Sequence, residues 1–417
     1  MSIHRAVASF LKNAGALYLV QIITLLAPLL EIPLLARTLG VSLYGQILFC
    51  QALAFTASLL VEYGFGINAA QQTALARGQT AVLNRLVSQV MLAKGLLAIP
   101  MVALMLLVWA VGALDDNPWH LALLGFVLAY FMAAGFSPMW YFQGREQMAL
   151  PALLDAALRL LGLGLVALWV RGPQDFLLAL PLLAIPPILS MAGLLLWCRR
   201  QVGPLHWDFA GACVQVRQGF HFFVYRSATN LAITAVPVLL GVAAGKRAVG
   251  EFAPAEKLIK GMTSLGVPFL TAIFPVFSRR LQGRAGVAAL RLPLLVLLGV
   301  AVVATLGGAL AWQLGPWALD LMLGAGYPGA QAVYLVLLPL APLRILNQSI
   351  AMVLLIPAGR ARSTSYVVLL FSMLGLAVGT GLSCFYGGVG MAAGLVGVET
   401  LLLGVMLLLA RRTVRLA

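Results

Sequence analysis

Apolar runs govern what this chain can fold into. About twelve of them follow one another, nearly all near the ~20 residues a helix needs to cross ~30 Å of hydrocarbon. Of the 417 residues, 62% are hydrophobic and 9% charged, and the mean hydropathy is +1.01. A soluble protein of this size coats its surface with charge, and 9% is too little for that. Lipid offers no partner to an open sheet edge, so the spanning elements are helices. The sequence predicts an all-α, polytopic membrane protein of about twelve transmembrane helices.

In chain order, the first six expected spans are Asn13–Leu35, Leu43–Tyr63, Leu86–Val111, Trp119–Phe142, Met148–Val170 and Phe176–Trp197. Pro28 and Pro33 break the first of these, with Glu31 between them. A polar, basic connection follows, Arg199–Arg217, the longest link on its side. It marks the expected boundary between an N-terminal lobe, residues 1–200, and a C-terminal lobe, residues 201–417. The second six spans are Gly219–Gly241, Gly250–Phe277, Leu292–Trp312, Gln331–Ile356, Thr364–Cys384 and Val389–Ala410.

Charge supports this layout. The net charge is +15, from 27 Lys+Arg against 12 Asp+Glu. The basic residues sit in short loops, where headgroups and topology account for them better than nucleic acid does. Most fall on one side, from Arg5 and Lys12 through Arg199 and Arg200 to Arg411, Arg412 and Arg415. The other side holds Arg37, Arg171, Lys246 and Arg247, alongside Asp115, Asp116, Asp175 and Asp320. Both termini are therefore expected in the cytoplasm. The N-terminus leads straight into a span without a convincing signal-peptide cleavage site, so the first helix is expected to stay.

A faint repeat relates the halves. GREQMALPALLDAALRLLGLG, from Gly144, resembles GRARSTSYVVLLFSMLGLAVG, from Gly359. The turn ARTLGVSLYGQ, from Ala36, matches GVAAGKRAVGE, from Gly241, less closely. Copies six spans apart share one orientation, which predicts two six-helix lobes related by a pseudo-two-fold axis along the membrane normal.

Charges inside spans are the candidate functional residues, because each is expensive in lipid. Asp155 and Arg159 stand four residues apart on one helix face, as do Glu256 and Lys260, so each pair can neutralise itself. Arg226, Lys257 and Arg344 have no opposite charge at i±3 or i±4 and are expected to face water or the bundle interior. Three cations in the second lobe point to an anion, and phosphate suits guanidinium and ammonium donors. Glu31, Glu62 and Glu399 are the acidic counterparts. Glu399 stands where it can titrate or pair with one of the cations.

Signals for enzymatic chemistry are weak. There is no Walker A loop, hence no ATPase of the chain's own. The glycines Gly387–Gly394 open a span and suit close helix packing. The four cysteines, Cys50, Cys198, Cys213 and Cys384, share no metal spacing and are expected to be small core residues without a disulfide framework. The histidines have no partners at ligand spacing, and His206, Trp207 and Asp208 are expected on solvated surface. No metal site, cofactor or enzyme activity is expected.

Several stretches resemble one family in their order and spacing. They are LARTLGVSLYG (Leu35–Gly45), VEYGFGINAA (Val61–Ala70), SPMWYFQGREQM (Ser137–Met148), VGEFAPAEKLIK (Val249–Lys260), Pro275 with Ser278, the Gly359-Arg360 turn, and GGVGMAAGLVGVET (Gly387–Thr400). Together the chain resembles the polysaccharide or O-antigen lipid-linked oligosaccharide flippases of bacterial inner membranes. These belong to the superfamily of multidrug, oligosaccharidyl-lipid and polysaccharide exporters. The resemblance implies a two-lobe transporter without an ATPase, carrying an undecaprenyl-pyrophosphate-linked repeat unit to the periplasmic leaflet by alternating access. It implies a cationic cavity, for which Arg226, Lys257, Lys260 and Arg344 are the candidates. Lys12, Tyr18 and Arg37 are the nearest early residues, and Arg159 is the cation available in the first lobe. Proton or sodium coupling in the superfamily directs attention to Glu31, Glu62 and Glu399. The implied partners are the lipid-linked glycan, membrane lipids, and a polymerase and chain-length regulator of the same pathway. A multidrug or organic-cation antiporter, a peptidoglycan-precursor flippase and a non-transporting scaffold for glycosyltransferases are the alternatives.

Overall fold

The computed structural model describes residues 3–110, 119–223, 234–281, 287–324 and 326–416. Every regular element among them is helical. Eight stretches of the described residues are long and apolar enough to cross a membrane, and the longest, Ala361–Thr413, has 53 residues. The chain forms two compact units, Met1–Gly40 with Ile47–Ala235, and Val41–Gln46 with Val236–Ala417.

The first unit begins with α1, Ile3–Glu62, a 60-residue helix whose one non-helical residue is Gly40, at φ 76° and ψ 171°, and of which Val41–Gln46 belongs to the second unit. The expected break at Pro28 and Pro33 is absent. Proline removes one N–H and crowds the preceding turn, but its φ is helical, and spanning helices tolerate it where neighbours satisfy the freed carbonyl. A second discontinuity follows at Tyr63 (φ 49°) and Gly64 (φ 103°). Beyond it come α2 (Phe65–Leu75), α3 (Thr80–Ala110), α4 (His120–Gly135), α5 (Met139–Gly144), α6 (Ala149–Trp169) and α7 (Phe176–Val202). The stretch read as a polar link contains much of a further helix, α8 (Phe209–Phe222), which packs on α2 and α3. The core here is aromatic and aliphatic, with Phe65, Trp140, Tyr141, Phe142, Val90 and Leu194 almost wholly buried.

The second unit contains α9 (Val236–Leu281), α10 (Val287–Leu323), α11 (Pro328–Leu337), α12 (Leu340–Ile350), a π-helical turn at Ala351–Leu355 and α13 (Ala361–Leu416). Gly245 interrupts α9 at φ 84° and ψ 168°, nearly the angles of Gly40. Only glycine adopts a positive φ with extended ψ cheaply, so the weakly matching turns share a specific backbone shape. Five residues beyond each kink stands another glycine. Gly45 abuts the Lys246 carbonyl and Gly250 the Val41 carbonyl, and a Cβ on Gly250 would lie 3.2 Å from the Gly45 Cα. A side chain at either position would collide with backbone.

At Gly387 α13 turns back (φ 57°, ψ −137°), and its halves meet so closely that a Cβ on Gly394 would lie 2.5 Å from the Gly379 Cα. The Gly387–Gly394 glycines thus serve helix packing, as their spacing suggests. In contrast, α10 presents apolar side chains outward. Leu295, Leu298, Val303 and Leu306 are all more than half exposed, as a helix facing hydrocarbon requires.

Candidate functional site

In the first unit, buried charge gathers at helix discontinuities. Lys94 projects from the middle of α3 and is fully buried. Its Nζ donates to Glu62 Oε2 at 2.6 Å, to the Gly135 carbonyl at 3.0 Å and to the Ser137 carbonyl at 3.2 Å. An ammonium has three hydrogens and no acceptor, so three oxygens saturate it. The local sequence explains their presence. Glu62 is the last residue of α1, immediately before the break at Tyr63 and Gly64. Gly135 and Ser137 flank the α4–α5 junction, where Pro138 has no N–H to continue the ladder.

Beside this group lies a cavity of about 300 Å³, lined by Glu31, Phe55, Tyr130, Ser137, Asp155, Arg159 and Ser190, among others. Asp155 accepts from Arg159 at 2.9 Å and from the Ser190 hydroxyl at 2.9 Å, so the expected i,i+4 pair forms and gains a partner from α7. The Gln51 amide donates to Glu31 Oε1 and to the Tyr130 hydroxyl, both at 3.2 Å. Tyr130 donates in turn to the Leu183 carbonyl at 3.0 Å. Glu31 and Arg159 are held by partners on their own helices, and Asp155 gains a further donor from α7.

Asp208 is not merely solvated surface. One carboxylate oxygen accepts from the Gly211 N–H at 2.8 Å, capping α8. The other accepts from Gln89 at 2.7 Å and from Arg85 at 3.3 Å. These bonds, the Gln89 amide foremost and then the Gly211 N–H, hold its pKa below the ordinary carboxylate value. His206 and Trp207 are exposed, as expected.

The second unit treats its charges differently. Arg344 on α12 stands 3.9 Å from Glu399 on α13, at the outer limit of an ion pair. Glu399 is gripped more closely by the Asn347 amide, at 2.8 Å. Lys260 pairs with the buried Glu256 at 3.0 Å. Lys257, beside them on α9 and partly buried, forms no ion pair among the described residues. A partly buried ammonium without a counter-ion is costly in a spanning helix unless water or an anion reaches it.

The sequence-derived candidates therefore divide. Glu31 and Arg159 share the first-unit cavity, while Glu62 belongs to Lys94. Arg37 lies exposed in the last turn before Gly40. Arg344 and Glu399 meet, whereas Lys257 and Lys260 lie together on α9. Arg226 lies outside the described residues, as do the side chains of Lys12 and Tyr18. Two of the cysteines expected in the core, Cys213 and Cys384, are exposed, whereas Cys50 and Cys198 are buried. Lys94 was missed by sequence reasoning. Its signal was present, a lone lysine in the apolar run MLAKGLLA, but its partner lies on another helix.

Residues 10–281 match the model of a family described as polysaccharide biosynthesis protein. The chain belongs to that family. The resemblance to polysaccharide and O-antigen flippases is borne out by two relatives, each named "Putative O-antigen transporter". One, from Escherichia coli (strain K12), is 25% identical over 97% of both chains. The other, from Shigella dysenteriae, is 26% identical over 95% of this chain and 98% of its own. Among solved structures, the inward closed conformation of the lipid II flippase MurJ superposes with a TM-score of 0.70. It is 12% identical and pairs 95% of this chain with 87% of its own. An inward-facing multidrug resistance transporter of the MATE family gives a TM-score of 0.60 at 14% identity, with 93% and 98% covered. At these identities the structures establish the fold, an all-α two-lobe transporter architecture of about twelve spanning helices.

Proposed function

We propose that this family member is a flippase. It carries an undecaprenyl-pyrophosphate-linked oligosaccharide repeat unit from the cytoplasmic to the periplasmic leaflet of a bacterial inner membrane, by alternating access, with both termini cytoplasmic. The names of the relatives matched along nearly their whole length support a lipid-linked glycan as cargo. The observation that carries the reading to particular residues is the state of the second unit's cations. Lys257 is partly buried with no ion pair among the described residues, and Arg344 is only loosely engaged by Glu399. A diphosphate offers both a better-matched partner, through charge-assisted bonds from guanidinium and ammonium. Lys260 is a secondary contributor because Glu256 already neutralises it, and Arg226 joins them on sequence grounds. Nothing in this cycle requires a bond to be made or broken by the protein.

Coupling to an ion gradient, in this reading, falls to Glu31. Of the three candidate carboxylates, Glu62 faces Lys94 and Glu399 faces Arg344. Glu31 instead accepts from the neutral Gln51 amide beside a cavity and is in no ion pair among the described residues.

Deleting the chain should cause a polyprenyl-linked repeat unit to accumulate on the cytoplasmic side. Arg344→Ala should do the same while the protein still reaches the membrane. Normal surface polysaccharide in an Arg344→Ala strain would refute the residue assignment, and an unchanged lipid-linked pool after deletion would refute the function. A second reading, organic-cation antiport, draws on Glu31 and Asp155 in the first-unit cavity. Asp155 is already committed to Arg159 and Ser190, which leaves Glu31 as the one carboxylate lining the cavity that is in no ion pair among the described residues and weakens that reading.

A further inference from the structure

Lys94 has more in common with a bound ion than with a surface salt bridge. Its Nζ is fully enclosed, at 2.6 to 3.2 Å from one carboxylate oxygen and two main-chain carbonyls. These three ligands come from two helix discontinuities, the α1–α2 break and the α4–α5 junction. Carbonyls released from broken helices, with one carboxylate, are what a protein uses to replace the hydration shell of a cation. Glu62 supplies a single negative charge, so one positive charge is balanced and a second would not be. The two carbonyl distances, 3.0 and 3.2 Å, also exceed the ~2.3–2.6 Å that Ca²⁺ takes from oxygen. The site suits a small monovalent cation that donates hydrogen bonds.

We propose that the first unit contains a monovalent-cation site whose resident cation is the chain's own Lys94 ammonium, and that occupancy of this site positions the α1–α2 and α4–α5 breaks. The site is closed to external ions only while the side chain fills it. Lys94→Ala removes the tether and the ammonium but leaves Glu62 and the two carbonyls, so the variant acquires an affinity for small cations that the wild type lacks. This holds whether or not the protein is a flippase.

The test is thermal unfolding of the purified full-length protein in detergent, with N-methyl-D-glucamine as the background cation. Methylammonium, ammonium, Na⁺ and the bulky tetramethylammonium are titrated separately at constant ionic strength. Lys94→Ala is expected to show a saturable Tm rise of about 2 °C or more with methylammonium and ammonium. The rise should be smaller with Na⁺, which donates no hydrogen bond, and absent with tetramethylammonium. Wild type and Lys94→Ala/Glu62→Gln, in which the carboxylate charge is gone, are expected to respond to none. If Lys94→Ala cannot be recovered without added cation, recovery in methylammonium but not in tetramethylammonium counts as the same result. Equal responses to all four cations would show general screening and overturn the proposal. So would no response, failure to recover the variant in any cation, or an undiminished response in the double variant.

Discussion

The two units engage their mid-helix cations differently, although the Glu256–Lys260 pair of the second matches the Asp155–Arg159 pair of the first. In the first, Lys94 is sealed among three oxygens, and Asp155 is held by both Arg159 and Ser190. In the second, Arg344 stands 3.9 Å from its only ion-pair partner among the described residues, and Lys257 has none there. A charge taken out of water is tolerated only with its hydrogen bonds satisfied, and a satisfied one fixes geometry. The first unit's ions therefore read as fasteners for broken helices. In the proposed function the second unit's cations are binding groups kept available.

This contrast can be broken by mutation. The largest effect is expected from Lys94→Met, which strands Glu62 and two carbonyls. Glu62 is about a third exposed, so the cost comes mainly from the two carbonyls left without a donor, about 2–4 kcal/mol, visible as a lower Tm, and adding Glu62→Gln should restore part of it. Arg344→Met should cost less, about 1–3 kcal/mol, because Asn347 continues to satisfy Glu399. Ser190→Ala removes one hydrogen bond to Asp155 and should cost about 1 kcal/mol. Lys257→Met should leave the stability within about 0.5 kcal/mol of wild type or raise it, since no ion pair among the described residues is lost. A large destabilisation by Lys257→Met, or none by Lys94→Met, would erase the contrast.

The smallest effect is a pH dependence confined to the first unit. Asp208 has a folded pKa below its ordinary value, chiefly through Gln89 and Gly211. Its contribution to stability is therefore fully present above the unfolded carboxylate pKa of ~3.9, and is lost as pH falls through the lower folded value. Asp208→Asn should flatten the acid limb of the stability profile by lowering stability at neutral pH, where the carboxylate contributes, and leaving it nearly unchanged at the acid end.

How much of this could be read from sequence depended on the range of each interaction. Helical periodicity exposes partners four residues apart, so Asp155–Arg159 and Glu256–Lys260 were legible, and both pairs form. The matching turns were legible because glycine alone fits their backbone, and Gly40 and Gly245 share nearly the same angles. The Glu62–Lys94 pair was not legible, since its residues meet only after α1 and α3 have packed. The prolines around Glu31 misled because proline signals a break locally, whereas the surrounding helices decide whether one occurs. Nor did the polar composition of Arg199–Arg217 announce α8, whose first turn depends on the Asp208 cap and on packing against α2 and α3.

In the proposed function the protein moves a lipid-linked glycan by engaging its diphosphate with second-unit cations. The direct measurement is flipping of a fluorescent polyprenyl-pyrophosphate-linked oligosaccharide in vesicles reconstituted with purified protein, scored by protection from a membrane-impermeant quencher. Wild type should equilibrate the lipid between leaflets, and Lys257→Gln and Arg344→Gln should each slow this by about tenfold or more, the equivalent of ~1.4 kcal/mol. Equilibration no faster than in protein-free vesicles, or wild-type rates in both variants, would contradict the account.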